Sequence, residues 1–167
     1  MKVAIFGAGT MGRGIAQVFA ANGHTALMYA SSIASAQRHR DELDASLQKR
    51  VAKGKMPQGA KDALMANVFV EEESAAADAD LVIECIAEER GPKKELFHRL
   101  DELCKPETVF ASNTSSLSIT EMGHGLKHPL IGMHFFNPVP SMKLIEIIRG
   151  VNTPQETFDF TYKLAQD

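Results

Sequence analysis

The sequence has no tryptophan, two cysteines, no long apolar run and no excess of basic charge. Two cysteines in 167 residues do not make a disulfide framework, and we expect Cys85 and Cys104 to be reduced thiols with no metal-ligand spacing. No segment approaches the roughly 20 apolar residues that span a bilayer. A net charge of −3 disfavours a nucleic-acid-binding surface, because such surfaces are usually basic. The chain begins without a signal-peptide pattern, so we expect a cytoplasmic protein without nucleic-acid or membrane partners.

Short apolar segments alternate with helical patterns along the whole sequence. Strands are predicted at 2–6, 25–29, 81–85, 108–112, 130–134 and 144–148. Helices are predicted between them, near 12–22, 93–103 and 157–167. Short buried strands that alternate with helices indicate a parallel sheet covered on both faces. We therefore predict a single doubly wound α/β domain with a mainly parallel sheet.

A long charged stretch, residues 33–65, follows the second predicted strand. Its apolar residues Leu43 and Leu47 are four positions apart, which is typical of an amphipathic helix. Gly54 and Pro57 interrupt this pattern, because both residue types end helices. The stretch is predicted to form a helical hairpin inserted after the second strand.

The segment GAGTMG directly follows the first predicted strand and begins the first helix. Gly7 allows a tight turn, Gly9 lets the backbone approach a pyrophosphate, and Gly12 lets the helix pack against the strand. The helix N-terminus adds N–H groups and a partial positive charge for that pyrophosphate. This context predicts a Rossmann-type dinucleotide site whose loop residues are Gly7, Gly9, Thr10, Met11 and Gly12.

The second strand lacks the acidic residue that usually ends it and binds the adenosine ribose. Ala30 stands there, followed by Ser31 and Ser32. Because that acid also repels a 2′-phosphate, its loss removes discrimination against NADP. NAD is the expected cofactor, and NADP is the open alternative. In that alternative, Ser31, Ser32 and Arg38 would contact the 2′-phosphate. Arg13, just inside the first helix, is a further cation near the phosphates.

Polar segments follow two later strands at their carboxyl ends. Residues 112–116 (SNTSS) follow one strand and residues 134–138 (HFFNP) follow the next, while Glu146 lies in the last strand. Carboxyl ends of parallel strands meet at one edge of a sheet, where ligands bind. A histidine beside a carboxylate can transfer protons, because the carboxylate fixes the ring tautomer and stabilises the imidazolium. Taken alone, His134 and Glu146 also fit a structural histidine and an isolated strand carboxylate.

Five segments together resemble the 3-hydroxyacyl-CoA dehydrogenase family, near its bacterial 3-hydroxybutyryl-CoA dehydrogenase branch: GAGTMGRGIAQVFA, DLVIECIAEE, SNTSSLSIT, HFFNPVPSMKLIEII and TPQETF. They are spread over the whole chain, and SNTSSLSIT with HFFNP is the most specific combination. The resemblance implies that His134 is the catalytic acid and base and that Glu146 orients it. It also implies that Ser115 contacts the reacting oxygen of the substrate.

The resemblance implies further binding residues. Those beside the cofactor are Glu88, Lys93 and Asn113, and those beside the acyl-CoA are Ser115, Asn137, Lys49 and Lys53. Lys49 and Lys53 share one helix face by their spacing, which also fits an ordinary solvated face. Gly91 and Pro92 interrupt the stretch before Lys93, where the family pattern differs.

The implied reaction transfers a hydride between a nicotinamide cofactor and an L-3-hydroxyacyl-CoA/3-oxoacyl-CoA pair of short chain, such as 3-hydroxybutyryl-CoA. Family members carry a second, helical domain that closes over the substrate and forms most of a homodimer interface. We expect residues 1–167 to be the dinucleotide-binding domain alone, with that second domain absent. Such a chain would bind dinucleotide, turn over acyl-CoA poorly and expose apolar surface at its edge.

Two other interpretations use the same fold. A 2-hydroxyacid or 3-hydroxyisobutyrate-type dehydrogenase needs a catalytic lysine, and HFFNPVP does not fit that type. A non-catalytic dinucleotide-binding or crystallin-like structural protein would not require Ser115, His134 and Glu146 together.

Overall fold

Seven strands and six helices alternate along residues 1–166, the part of the chain that the computed structural model describes. The strands are β1 Lys2–Phe6, β2 Thr25–Tyr29, β3 Val68–Phe69, β4 Leu81–Glu84, β5 Val109–Ser112, β6 Leu130–Phe135 and β7 Ile145–Arg149. The helices are α1 Thr10–Ala21, α2 Ile33–Ala52, α3 Gln58–Met65, α4 Arg90–Leu103, α5 Ile119–Met122 and α6 Gln155–Gln166, with a 3-10 helix at Glu73–Ala76. No helix of this part of the chain is long and apolar enough to cross a membrane.

The strands form one sheet in the order β3-β2-β1-β4-β5-β6-β7. Neighbouring strands from β3 to β6 are parallel, and β7 is antiparallel to β6. The chain runs outward from β1 through β2 and β3, and then resumes at β4 on the other side of β1. This reversal leaves a crevice at the carboxyl ends of β1 and β4, which is where doubly wound sheets bind their ligands.

The sheet is covered on both faces. One apolar layer packs the sheet against α1, α2, α3 and α6, and the other packs it against the 3-10 helix, α4 and α5. Successive strand residues alternate between the layers: Ile5 and Met28 belong to the first, and Phe6 and Tyr29 to the second. The predicted doubly wound α/β fold is confirmed.

The helical hairpin after β2 is also present, as α2 and α3. Ser32 caps α2, its hydroxyl accepting a hydrogen bond from the Ser35 amide at 3.1 Å. Leu43 and Leu47 are buried against the sheet, as their spacing predicted. Gly54 follows α2 with a φ of +64°, a conformation that glycine adopts without strain.

Several local features differ from the sequence prediction. The two-residue strand β3 and the one-turn helix α5 were not predicted, because neither is long enough to show a periodic pattern. Helix α4 begins at Arg90 rather than at Lys93, so Gly91 and Pro92 do not interrupt it. Pro92 lies in the first turn, where a backbone N–H has no acceptor within the helix and its loss is tolerated.

Both cysteines are free thiols, as predicted. Cys104 ends α4, and its thiol donates to the Ala76 carbonyl at 3.4 Å. Burial, with the charges of Asp101 and Glu73, raises the pKa of Cys104 to about 11. It therefore stays protonated at neutral pH and is structural.

A buried carboxylate fastens α4 to the loop before β6. Asp101 accepts hydrogen bonds from the Lys127 amide at 3.0 Å, the His128 amide at 2.9 Å and His128 Nδ1 at 2.6 Å. The His128 ring stacks on Phe110 at 4.5 Å, and its Nε2 donates to the Lys105 carbonyl at 2.9 Å. Burial alone would raise the pKa of Asp101, but these hydrogen bonds outweigh it and lower the pKa below its usual value.

We expect this carboxylate to make the folded chain acid-sensitive. The pKa of Asp101 is lower in the folded state than in the unfolded state, where it is about 3.9. Asp101 therefore stabilises the fold at pH values above 3.9 or so. That contribution disappears as the pH falls from there through the lower folded pKa. Urea unfolding at neutral and acid pH should show an Asp101→Asn variant that is less stable at neutral pH and less pH-dependent. The exposed Asp159→Asn is the matched control, and equal pH-dependence in Asp101→Asn and the unsubstituted chain would contradict the prediction.

Candidate active site

The glycine loop joins β1 to α1 at the crevice. Gly7 has a φ of +104°, and a Cβ on it would lie 2.4 Å from the Cys85 carbonyl oxygen. A Cβ on Gly12 would lie 1.9 Å from the Gly7 carbonyl oxygen. Gly9 differs, because an added Cβ would have no heavy atom within 4 Å among the described residues. The fold thus requires glycine at the first and last positions, whereas the open backbone at Gly9 suits a ligand that approaches closely.

A cavity of about 760 Å³ extends from the glycine loop across the carboxyl ends of β1, β2 and β4. Gly9 is the N-cap residue of α1, and the first-turn N–H groups of that helix have no side-chain cap within residues 1–166. Such N–H groups with the helix dipole attract a pyrophosphate. The volume lies within the range of cofactor sites. The residues present therefore fit a dinucleotide.

At the end of β2, Ala30 and Ser31 line this cavity. Ser32 lines it too, but its hydroxyl is engaged as the cap of α2. Arg38 donates to the Ser35 hydroxyl at 3.2 Å, which places its guanidinium beside another cavity residue. Arg13, which was expected near the phosphates, forms an ion pair with Glu42 of α2.

His134 and Glu146 face each other across the antiparallel pair β6 and β7. His134 Nδ1 donates to Glu146 Oε2 at 2.8 Å, and the ring lies 4.5 Å from that of Phe136. A carboxylate only accepts hydrogen bonds, so Nδ1 carries the proton and Nε2 of the neutral ring is an acceptor. The sequence predicted this contact, and the strand register brings it about.

Asn113 ties the SNTSS segment to the strand that carries His134. Its side-chain Oδ1 accepts the Phe135 backbone amide at 2.8 Å, and its backbone N–H donates to the Glu84 backbone carbonyl at 2.8 Å. The residue expected beside the cofactor thus also fixes β5 and β6 relative to each other at the crevice.

A buried ion cluster lies beneath the segment 114–116. Lys93 Nζ is 2.6 Å from Glu84 Oε1 and 3.0 Å from Glu88 Oε2, and the Lys93 side chain is only 1% exposed. Glu84 is fully buried, and its Oε2 accepts the Ser112 hydroxyl at 2.6 Å. Lys93, expected beside the cofactor, lies under Glu88 and not at the cavity surface.

Glu88 organises the backbone around Ser115. Its Oε1 accepts the Ser115 amide at 3.0 Å, the Ser116 hydroxyl at 3.4 Å and the Thr114 hydroxyl. Burial alone would raise the pKa of Glu88, but the Thr114 hydroxyl and the Lys93 ammonium lower it. Glu88 is therefore charged at neutral pH and holds Ser115 at the crevice.

Glu84 was not predicted as a site residue, although the sequence carries a signal for it. A glutamate inside the apolar strand LVIE is unusual, because a fully buried carboxylate needs a partner. Lys93, one turn into the next helix, is that partner.

Comparison with known proteins identifies the domain. Residues 2–167 match the profile of a family described as 3-hydroxyacyl-CoA dehydrogenase, NAD binding domain. The chain belongs to the 3-hydroxyacyl-CoA dehydrogenase family. It is 44% identical to a 3-hydroxybutyryl-CoA dehydrogenase of Clostridioides difficile, over 99% of this chain and 60% of that protein. It is 42% identical to a 3-hydroxyadipyl-CoA dehydrogenase of Escherichia coli, over 94% of this chain and 34% of that protein.

Solved structures of family members have the same architecture. A 3-hydroxybutyryl-CoA dehydrogenase of Escherichia coli matches with a TM-score of 0.94 at 40% identity, over 99% of this chain and 36% of that one. A 3-hydroxybutyryl-CoA dehydrogenase of Ralstonia eutropha matches with a TM-score of 0.92 at 35% identity, over 99% of this chain and 59% of that one. This chain spans 60% or less of the length of these four proteins.

The remaining predicted residues of this 3-hydroxyacyl-CoA dehydrogenase domain lie on its surface. Ser115 and Asn137 are exposed beside the strand ends. Lys49 and Lys53 are exposed at the end of α2, one turn apart, as their spacing predicted.

Met142 and Leu144 are 43% and 50% exposed and line a mainly apolar cavity of about 770 Å³.

Proposed function

We propose that this chain is the dinucleotide-binding domain of an oxidoreductase that transfers a hydride between NAD and an L-3-hydroxyacyl-CoA/3-oxoacyl-CoA pair. A short acyl chain, as in 3-hydroxybutyryl-CoA, is the proposed substrate class. The observation that carries the proposal is the His134–Glu146 pair at the same sheet edge as the glycine loop. An acid–base group beside a nicotinamide site is what alcohol oxidation requires.

His134 moves the proton in the proposed reaction. In oxidation, Nε2 takes the proton of the C3 hydroxyl while the C3 hydrogen leaves as a hydride, and Glu146 stabilises the imidazolium that forms. In reduction, Nε2–H returns the proton to the carbonyl oxygen. The nicotinamide, when bound, accepts or supplies the hydride.

Other residues bind and orient in this proposal. Ser115 contacts the reacting oxygen, with its backbone held by Glu88. Asn113 and Glu88 lie by the cofactor, and Lys93 acts through Glu88. Asn137 binds the substrate, and Lys49 and Lys53 attract the phosphates of coenzyme A.

We also propose that family members complete the site with a helical domain beyond these residues. That domain would pack on the apolar surface around Met142 and Leu144. We also propose that two copies of the longer protein form a homodimer through that domain. Residues 1–167 alone are therefore expected to bind dinucleotide and to reduce acetoacetyl-CoA slowly.

Titration with NADH, followed by its fluorescence, tests the proposal. Saturable binding is expected, together with slow NADH oxidation when acetoacetyl-CoA is added. Absence of NADH binding would overturn the assignment, and full activity from these residues would overturn the role of a further domain.

We propose that the ribose site accepts both NAD and NADP, because Ala30 carries no charge to repel a 2′-phosphate. An Ala30→Asp variant should bind NADPH about tenfold more weakly or worse, and NADH more tightly, because the new carboxylate repels phosphate and accepts ribose hydroxyls. Parallel NADH and NADPH titrations measure this change in preference.

Ala34→Asp is the matched control for that substitution. It adds the same charge four residues later, on an exposed position of α2 outside the cavity lining. If both variants shift the NADPH affinity equally, the effect is one of net charge, and the role given to Ala30 is wrong.

A further inference from the structure

Glu84 places a buried charge at the edge of the sheet where ligands bind. It ends β4, its side chain is 0% exposed, and the Lys93 side chain that pairs with it is 1% exposed. The cost of removing two charges from water offsets much of their mutual attraction, so a buried ion pair is weak evidence of stabilisation. Replacement of such a pair by apolar side chains of similar size is often neutral or stabilising. The pair is therefore better explained by what it holds in place than by the stability that it adds.

The carboxylate of Glu84 is hydrogen-bonded to three segments that meet at the crevice. Oε1 accepts the Ile86 backbone N–H at 2.7 Å and the Lys93 ammonium at 2.6 Å. Oε2 accepts the hydroxyl of Ser112, its partner in the register of β4 and β5, at 2.6 Å. These contacts join the turn after β4, the start of α4 and the end of β5. Glu84 thus fixes the frame from which the segment 114–116 and the adjoining cavity wall extend.

A chain of contacts leads from Glu84 to the backbone of Ser115. The Lys93 ammonium lies between Glu84 and Glu88, 3.0 Å from Glu88 Oε2. The other oxygen of Glu88, Oε1, accepts the Ser115 amide at 3.0 Å. Glu88 lies in the loop between β4 and α4 with its side chain 40% exposed, so packing alone does not fix it. Its anchor is the buried ammonium, and the anchor of that ammonium is Glu84.

We propose that Glu84 is a positioning residue for hydride transfer, which acts through Lys93 and Glu88 to hold Ser115 beside the reacting oxygen of the substrate. This inference rests on the proposed function, in which Ser115 contacts that oxygen. Because Glu84 is enclosed in the core, it touches neither substrate nor cofactor, and its effect is on the alignment of the group that does. A small misplacement of such a group slows the chemical step more than it weakens binding.

The test is a Glu84→Gln variant, which keeps the size of the side chain and an oxygen for the Ile86 N–H but removes the charge that holds Lys93. Its single-turnover rate of NADH oxidation by acetoacetyl-CoA should fall about tenfold to a hundredfold, while its NADH affinity should stay within about twofold. Glu102→Gln is the matched control, because Glu102 pairs with Lys127 on the surface and lies outside the cavity lining. Both values should be unchanged in that variant.

Two further measurements separate positioning from a general loss of stability. In a chain that carries Ser115→Ala, adding Glu84→Gln should lower the rate by less than about twofold, because the hydroxyl that it positions has gone. Hydrogen exchange of the Ser115 amide should be about tenfold faster in Glu84→Gln, after correction for the exchange of the Val82 amide within β4, which reports global unfolding.

A double variant covers the case in which Glu84→Gln alone does not fold. Glu84→Gln with Lys93→Met leaves no unpaired buried charge, so it should unfold at the urea concentration of the unsubstituted chain. Its rate should be as low as expected for Glu84→Gln, because Glu88 has lost its anchor. Recovery of the rate together with the stability would show that the pair serves the fold alone, and the inference would be wrong.

The inference would also be overturned by an unchanged rate in Glu84→Gln, by an additive loss in the Ser115→Ala chain, or by unchanged exchange of the Ser115 amide. If the unsubstituted chain bound and oxidised NADH while Glu84→Gln did so equally fast, the proposed function would stand and only the role of Glu84 would fall. No NADH binding by the unsubstituted chain would overturn both.

Discussion

Replacement of His134 by glutamine is expected to slow hydride transfer by about 10² to 10⁴, while NADH affinity stays unchanged. The loss follows from the geometry of the pair. His134 Nδ1–H donates to Glu146 Oε2, with the two heavy atoms 2.8 Å apart, which leaves Nε2 as the atom that exchanges a proton with the substrate oxygen. A glutamine side chain can form hydrogen bonds but cannot carry a proton between solvent and substrate.

The rate should be measured as a single turnover, with the chain in excess over NADH and acetoacetyl-CoA, so that slow chemistry remains measurable. His124→Gln is the matched control, because His124 is exposed outside the His134–Glu146 pair. Glu146→Gln should have a smaller effect than His134→Gln, because it leaves the proton carrier in place and removes only its orientation and charge stabilisation. An unchanged single-turnover rate in His134→Gln would contradict the proposed role.

The contact between His134 and Glu146 could be predicted, but its exact cause could not. The sequence places both residues at strand ends and separates them by twelve positions. Direct pairing arises because β7 runs antiparallel to β6. The direction of an edge strand depends on how the connection before it folds back, and residues 136–144 show no periodic pattern that fixes this.

Lys93 is a second example. Its position after β4 was predicted, and its assignment beside the cofactor came from resemblance alone. Lys93 shares the buried face of α4 with Leu96 and Leu100, three and seven residues later, and its ammonium lies between Glu84 and Glu88. That spacing predicts a common helix face, so the burial of Lys93 could be read from the sequence, whereas its two ion pairs depend on tertiary packing.

The capping role of Ser32 could have been predicted from the sequence. It was proposed as a phosphate contact, and the structure engages its hydroxyl as the N-cap of α2. A serine directly before a helical pattern is a common start signal, so local sequence carried this information. Ser31, which lines the cavity, is the better candidate for a ribose or phosphate contact.

Alanine substitutions at Gly9 and Gly12 are expected to separate cofactor binding from folding. Gly12→Ala places a methyl group 1.9 Å from the Gly7 carbonyl oxygen, and neither backbone can move without distorting the loop. The expected cost is about 1 to 3 kcal/mol of unfolding free energy, with loss of NADH binding. In Gly9→Ala the methyl group enters open space, and the φ of −65° is negative, as alanine requires. Its unfolding free energy should change by less than about 1 kcal/mol.

Gly9→Ala should nevertheless weaken NADH binding by about tenfold to a hundredfold, because the methyl group occupies the space through which the pyrophosphate approaches the backbone. Urea unfolding and NADH titration of each variant measure the two effects. Gly59→Ala, in α3 and outside the cavity, is the control that should bind NADH normally and gain slightly in stability. The result that would contradict this account is a Gly9→Ala variant that binds NADH like the unsubstituted chain. Open space at Gly9 would then reflect the fold alone, and the pyrophosphate would have to bind elsewhere in the crevice.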